Sequence, residues 1–435
     1  MPDETWATWA REHSDPKRAA AKPEALGSLR VLDISRSNFG ALYCSSILGE
    51  FGAEVIRIEA PDGDPARHFT PFALTHQNTG LAYLVEGRNK YHVTLNLEDE
   101  EGRRVFFDLA RRSDVVIESF APGQMDAWGV GYRQLSEENA RLVYCALATY
   151  GQFGPRARTY KPDYDVTNQA LSGIVWVTGE MESTDPPAPW EVPTKVGPWV
   201  SWYAGGAWAA FGILLALRRR RQSGRGQFVD VSAAEGLLRF VNYNMTYYHT
   251  WRGQMIRVGN LDHGIYPYGV IQVKDGYIFI AGFSDVNFEA ICNIMERPEL
   301  AKDPRFDSFL KRAKLENAAA LKAEMEKWSV NYTAEEILER VLLYQGEGVV
   351  GMGRSNLPSE TLAESHWWER GMFQIVDDPV YGKLVIQGQP VKMTETPPRI
   401  KWACRPVGAD NDFIYGKYLG LGRERLRTLR ARGVV

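Results

Sequence analysis

Leu29-Arg30-Val31-Leu32-Asp33-Ile34, residues 40–52, and Glu54-Val55-Ile56-Arg57-Ile58-Glu59 together form the stretch on which the fold is read. The first and third segments are short apolar runs with strand character, and 40–52 has the spacing of a helix. The three make a βαβ unit. Outward from it the alternation continues, with a helical pattern over 101–112, a strand at Asp114-Val115-Val116-Ile117-Glu118 and another over 141–147. Strands separated by helices imply a parallel, doubly wound, Rossmann-like sheet of the α/β class. The loop after the first strand, Ser35-Arg36-Ser37-Asn38-Phe39-Gly40, has a single glycine where a dinucleotide fingerprint has three, which argues against NAD or FAD.

The composition shifts at Ser223-Gly224-Arg225-Gly226. Residues 227–231 then form a short strand, and Ser232 is placed to cap a long, aromatic-rich helix reaching His249. Tyr266-Pro267-Tyr268-Gly269, Asp275-Gly276-Tyr277-Ile278-Phe279-Ile280 and helical patterns over 287–295 and 317–328 describe a smaller α+β domain. A strand over 381–386 and a helix over 423–432 return to the large domain. The expected organisation is an N-terminal extension (1–26), the first part of the large domain (27–231), a linker helix and small domain (232–365), and the returning tail (366–435). The 202–217 segment is apolar and ends in four arginines, but it is shorter than the ~20 residues of a membrane span. Its small residues fit a buried helix whose basic end complements the dipole.

Composition excludes several classes. A net charge of −3 with acids and bases intermixed offers no basic field for nucleic acid. The four cysteines and seven histidines are scattered, without metal-ligand spacing or a disulfide framework. A cytoplasmic protein with no metal and no permanently bound cofactor is expected. The N-terminus lacks the apolar core of a secretion signal.

A set of motifs then recurs in order: Leu29-Arg30-Val31-Leu32-Asp33, Gly52 to Glu59, Gly63-Asp64-Pro65-Ala66-Arg67, Asn89-Lys90, Glu118-Ser119-Phe120-Ala121-Pro122-Gly123, Tyr164-Asp165, Gln169 to Gly173, Gly212 to Leu217 and Gly224-Arg225-Gly226-Gln227. Over nearly the whole chain this resembles the class III, formyl-CoA transferase-like CoA-transferases. The resemblance implies a large domain built from both chain ends, a small domain between them, and two ring-like subunits interlocked as a dimer. It also implies a chemistry, in which an aspartate attacks a CoA thioester, passes through an anhydride and an enzyme-bound thioester, and hands CoA to an acceptor acid.

The family aspartate lies four residues before a glycine of the apolar helix, and here that register falls on Trp202. Indole has no nucleophilic oxygen, and simple helix packing explains Trp202 equally well. Other family CoA contacts are also replaced, by Ala60, Ser119 and Ala127, so cationic grip on the phosphates is reduced. Arg36, Ser37, Asn38, Phe39, Lys90 and Phe120 remain as CoA-contact candidates, Lys90 being equally well read as a solvated surface lysine. Asp163, Asp165 or Asp185 could serve as a surrogate nucleophile, although Asp165 also suits a helix cap. Tyr164 stands where related racemases carry a histidine, which argues against racemisation.

The expectation is a non-catalytic subunit of a heteromeric CoA-transferase, partnered by a homologous chain that carries the aspartate. Its organisation is similar to that of benzylsuccinate CoA-transferases, with succinyl-CoA as donor, an aryl acid as acceptor and a place in aromatic acid degradation. Alternatives are an inactive homodimer that binds CoA esters or regulates, and an active homodimer using a surrogate carboxylate.

Overall fold

The computed structural model describes residues 4–158, 164–183, 186–241 and 243–435. Six apolar segments form one sheet: β1 (Arg30–Asp33), β2 (Glu54–Glu59), β3 (Lys90–Thr94), β4 (Val115–Glu118), β5 (Val143–Ala148) and β6 (Phe228–Ser232). Their order is β3-β2-β1-β4-β5-β6, with every neighbouring pair parallel. Strand order reverses between β1 and β4, and in open sheets of this kind ligands gather where the chain switches direction.

Successive side chains of a strand point to opposite faces, and both faces are apolar here. Leu32, Ile56, Val116 and Tyr144 belong to one buried cluster, and Val31, Val55, Val115 and Cys145 to another. The helices that matter for the site are α1 (Phe39–Glu50), α2 (Glu100–Ala110), α3 (Asp165–Ser172), α4 (Val200–Ser223) and α5 (Ala233–Leu238). Residues of α1, α4 and α5 complete the second cluster, and α2 lies on the first. Glycine sets how closely α1 and α4 cross: a Cβ on Gly206 would meet the Gly40 oxygen at 2.3 Å, and one on Gly40 the Trp202 oxygen at 2.6 Å. By length and composition α4 could cross a membrane. In this fold it is a core helix, because Ala209, Ala210, Ile213 and Ala216 are sealed against the sheet. Its Arg220 is buried as well, donating to Asp114 at 2.9 Å and to the Arg141 carbonyl at 3.0 Å.

The chain divides into two compact units, the larger from the described residues of 1–174, 196–245 and 364–435, the smaller from those of 175–195 and 246–363. The boundary expected at 232 therefore falls near 246, because Ala233 is buried with Ala209 and Ile213 of the large unit. Residues 175–195 go with the smaller unit, where Thr194 donates to the Thr178 carbonyl at 2.9 Å and Arg257 to the Glu191 carbonyl at 3.1 Å. The single helix expected from Ser232 to His249 is two: α5, capped by the Ser232 hydroxyl, and α6 (Asn244–Trp251). Around the break stand Phe240 and Val241, whose amides make tighter three-residue bonds to Leu237 and Leu238. Aromatic and β-branched residues weaken a helix that lacks a packed face.

In the smaller unit, β7 (Tyr268–Val273), β8 (Gly276–Ala281) and β9 (Gly351–Arg354) form an antiparallel sheet in the order β9-β8-β7. Ile271, Val273, Ile278 and Ile280 pack against Phe288 and Ile291 of α7 (Asp285–Ile294) and Leu321 and Met325 of α8 (Leu315–Ser329). In the tail a hairpin, β10 (Phe373–Asp378) with β11 (Gly382–Gln387), precedes α9 (Asn411–Leu419) and α10 (Arg423–Ala431). Ile414, Tyr415, Leu426 and Leu429 of these last helices join the first cluster, so the large unit is built from both ends of the chain. The N-terminal segment is tied to the same tail: Lys22 donates to the Thr394 carbonyl at 2.5 Å and Arg399 to the Lys22 carbonyl at 2.6 Å.

Candidate functional site

At the start of α4 several aromatic side chains meet. Trp202 is 3% exposed and shares a buried cluster with Phe39, Leu42, Tyr83, Leu84 and Tyr381. Its ring lies 5.8 Å from Phe39 and 5.6 Å from Trp199, and Phe39 stacks on Trp199 at 4.6 Å. The indole nitrogen has no hydrogen-bond partner among the described residues. Behind the ring, Asp165 holds the helix end: its Oδ1 accepts the Ser201 amide at 2.8 Å, the Ser201 hydroxyl at 2.7 Å and the Trp202 amide at 3.2 Å. Its Oδ2 accepts from Gln169 at 2.5 Å. Asp165 therefore caps α4, a helix not its own, satisfying amides that a helix start leaves open. A carboxylate committed to four donors has little freedom to attack.

Beneath this aromatic plug runs a buried ionic network. Arg57, wholly enclosed, donates to Asp33 at 2.6 Å and Ser35 at 2.8 Å and also engages Asp64. Arg67 holds Glu59 through two bonds of 2.6 Å, and His92 contacts the same carboxylate at 2.8 Å. Burial favours the neutral acid at Asp33, but Arg57 and Lys90 outweigh it and keep the carboxyl below its ordinary range. Burial is outweighed likewise at Glu59, where hydrogen bonds from Arg67 and His92 hold the carboxyl well below its usual range. Sequence reasoning passed over this network, although charged residues inside a strand covered on both faces must find partners. Arg57 in β2 was that signal.

A second region lies where β1 and β4 part. Here the strand ends line an open cleft bounded by Ser35, Arg36, Ala60, Asp64, Phe120 and Trp128. Phe120 meets Trp128 edge-on at 5.4 Å. The Ser119 hydroxyl spans the switch point, accepting from the Arg36 amide at 3.0 Å and donating to its carbonyl at 3.3 Å. A contiguous cleft leads over Ser119, Ala121, Thr149, Tyr150 and Arg158 beyond β5. Glu118, at the end of β4, is 4% exposed and accepts the Phe120 amide at 2.6 Å.

The expected contact residues separate sharply. Arg36 and Phe120 face the cleft, and Ala60 lines it. Ala127 is exposed on the short helix Gln124–Ala127. Ser37 is half-buried, with its amide on Asp64 at 3.0 Å. Asn38 is buried and its side chain caps α1 by accepting the Ala41 amide at 3.0 Å, while Phe39 belongs to the plug. Lys90 is neither a solvent lysine nor a cleft residue: it is fully buried, donating to the Leu42 carbonyl at 2.8 Å, the Ser46 hydroxyl at 3.0 Å and the Glu86 carbonyl. Burial lowers its pKa to about 8 against the pull of Asp33 and Glu86. Tyr164 is exposed at the start of α3, and Asp163 and Asp185 lie outside the described residues.

A doubly wound parallel sheet with helices on its faces defines a Rossmann-like α/β protein. The chain belongs to CoA-transferase family III, whose sequence pattern matches residues 26–411. It is 33% identical over 380 residues to the succinyl-CoA:mesaconate CoA-transferase of Haloarcula marismortui, covering 86% of this chain and 91% of that one. It is 31% identical to the succinyl-CoA–L-malate CoA-transferase alpha subunit of Chloroflexus aurantiacus, over 97% of this chain and 98% of that one. Among solved structures, a CAIB/BAIF family protein from Brucella suis superposes with a TM-score of 0.78 at 26% identity, covering 91% of this chain and 99% of that one.

Proposed function

We propose that this chain is the non-catalytic subunit of a heteromeric class III CoA-transferase. The observation that carries the reading is the aromatic plug: at the register of the family nucleophile stands Trp202, enclosed by Phe39 and Trp199, with no free carboxylate beside it among the described residues. Covalent transfer through an anhydride needs a carboxylate that can reach the thioester carbonyl. Asp165, whose carboxylate accepts the Trp202 amide, is spent on capping α4.

The partner is a homologous chain bearing the aspartate, a division supported by the similarity to an alpha subunit. The donor is succinyl-CoA, a reading supported by the names of both relatives. The acceptor is a small carboxylic acid; mesaconate and malate are dicarboxylates, and benzylsuccinate is a dicarboxylate carrying an aryl group. The CoA half-site of this chain is the cleft between β1 and β4, with Arg36 as the cation and Phe120 as an aromatic platform.

The test is an assay of CoA transfer from succinyl-CoA to these acids, first with the purified chain and then with the chain co-purified with its aspartate-bearing homologue. Turnover only in the second case is expected. Full activity of the chain alone overturns the proposal.

A second reading, an inactive homodimer that binds CoA esters, draws on the pairing of an open cleft with a filled nucleophile position. It predicts CoA uptake with no turnover in either assay and a native mass of two identical chains.

A further inference from the structure

The open cleft takes its walls from the ends of four neighbouring strands: Glu98 follows β3, Ala60 and Asp64 follow β2, Arg36 follows β1 and Phe120 follows β4. Charge is spread unevenly along that row. Among the described residues Arg36 is the one cation on the lining, exposed on the loop that runs on to Phe39 of the plug. Carboxylates occupy the β2 and β3 ends. Glu59 is already held by Arg67 through two bonds of 2.6 Å, and Asp64 engages Arg57, so those buried guanidiniums are committed. Glu98 is exposed and has no ion pair among the described residues. Arg103 of α2 is not on the lining; its Nη1 donates to the Leu97 and Glu98 carbonyls at 3.0 and 2.8 Å.

We propose that this cleft recognises CoA without reading its ribose 3′-phosphate: Arg36 meets the 5′-diphosphate, the 3′-phosphate finds no cation, and dephospho-CoA binds as well as CoA. The proposal rests on reading the cleft as a CoA half-site. CoA carries phosphate on two sides of its ribose, a diphosphate leading to the pantetheine arm and a monophosphate on the 3′ oxygen. With adenine on the Phe120 ring, the arm follows the loop from Arg36 to Phe39 toward Trp202, the register at which the thioester would sit. That path brings the diphosphate to Arg36. The 3′-phosphate is left facing the ends of β2 and β3, where Ala60 offers only a methyl group and Glu98 a carboxylate.

A guanidinium grips phosphate through charge-assisted, often bidentate hydrogen bonds, roughly twice as strong as neutral ones. One such group serves one phosphate site at a time. Glu98 does not expel the other phosphate, because repulsion between exposed charges is small and screened by salt; it leaves that phosphate in solvent. Ala60 is then the specificity-determining position. It is half-buried at the cleft wall, so a longer side chain placed there can extend into solvent without being enclosed.

The experiment is calorimetric titration of the full chain with CoA and with dephospho-CoA at one ionic strength, for wild type, Ala60→Arg and Arg36→Gln, beside thermal unfolding of each. Wild type is expected to bind the two ligands with dissociation constants within about threefold of each other. Ala60→Arg should tighten CoA by about tenfold and leave dephospho-CoA nearly unchanged. Arg36→Gln should weaken both ligands by the same factor, about tenfold. A wild-type preference for CoA beyond threefold overturns the proposal. So does a folded Ala60→Arg that fails to separate the ligands, or an Arg36→Gln that weakens CoA alone, which would put the 3′-phosphate on Arg36. If wild type takes up neither ligand, the half-site reading falls and the proposal with it, an outcome distinct from binding that favours CoA.

Discussion

Trp202 and Phe120 both stand beside the loop that leaves β1, yet one is packed among Phe39, Trp199 and Tyr83 while the other borders an open cleft. An aromatic ring in the first setting contributes burial and contact; in the second it is a surface held ready for something else. On the proposed reading, gripping CoA and attacking its thioester fall to these two separable regions, one filled with core and the other still open.

Substitutions can break that comparison or sharpen it. The largest effect is expected from Trp202→Asp, which replaces a buried indole by a carboxylate with no cation placed for it. Its cost should exceed the roughly 3–5 kcal/mol of Trp202→Ala, read by denaturant unfolding. Transfer activity should not return in the lone chain, because Phe39 and Trp199 still fill the site; turnover by Trp202→Asp alone would show the plug to be shallow. Asp165→Ala comes next, at about 2 kcal/mol, since it strands the amides at the start of α4. Hydroxylamine trapping during turnover of the proposed two-subunit enzyme should leave Asp165 unmodified.

Lys90 supplies a pH test of the enclosed side. Its folded value near 8 lies below the ordinary 10.5, so the unfolded chain holds more protons between those values and stability from this group rises with pH across that window. The difference between wild type and Lys90→Met, followed from pH 8 to 10, should show that rise, on the order of a few kcal/mol. The smallest stability effect belongs to Phe120→Ala, about 1 kcal/mol or less, with weaker CoA binding by calorimetry as its main consequence. A large loss of stability there, or none of affinity, would erase the contrast with Trp202.

The sheet was readable because its strands carry their evidence locally: each of Leu29 to Ile34, Glu54 to Glu59 and Asp114 to Glu118 is an apolar run beside a helical pattern. The site was readable only in part. Motif position assigned Arg36, Asn38, Phe39 and Lys90 to one ligand surface, but which way each faces depends on how α4 crosses α1 at Gly40 and Gly206, a contact between residues far apart in sequence. That crossing turns Phe39 inward to Trp202 and leaves Arg36 outside. Lys90 was misplaced for a related reason, since its three acceptors lie on α1 and on the segment just before β3, and no periodicity reports such a pocket. Asp165 was expected to cap a helix, and the helix it caps begins more than thirty residues later.

The joining of the two chain ends bears on the order in which the molecule can be made. One apolar face of the sheet is covered in part by Ile414, Tyr415, Leu426 and Leu429, and the Val434 carbonyl takes the Asn96 amide at 2.8 Å. During synthesis Leu32, Ile56 and Val116 must wait for those residues. Contacts of such sequence separation close slowly, so the nascent large unit passes a long interval with a sticky face uncovered. Chaperone dependence during synthesis, relieved only once the last helix has emerged, is the expected cellular signature of this topology.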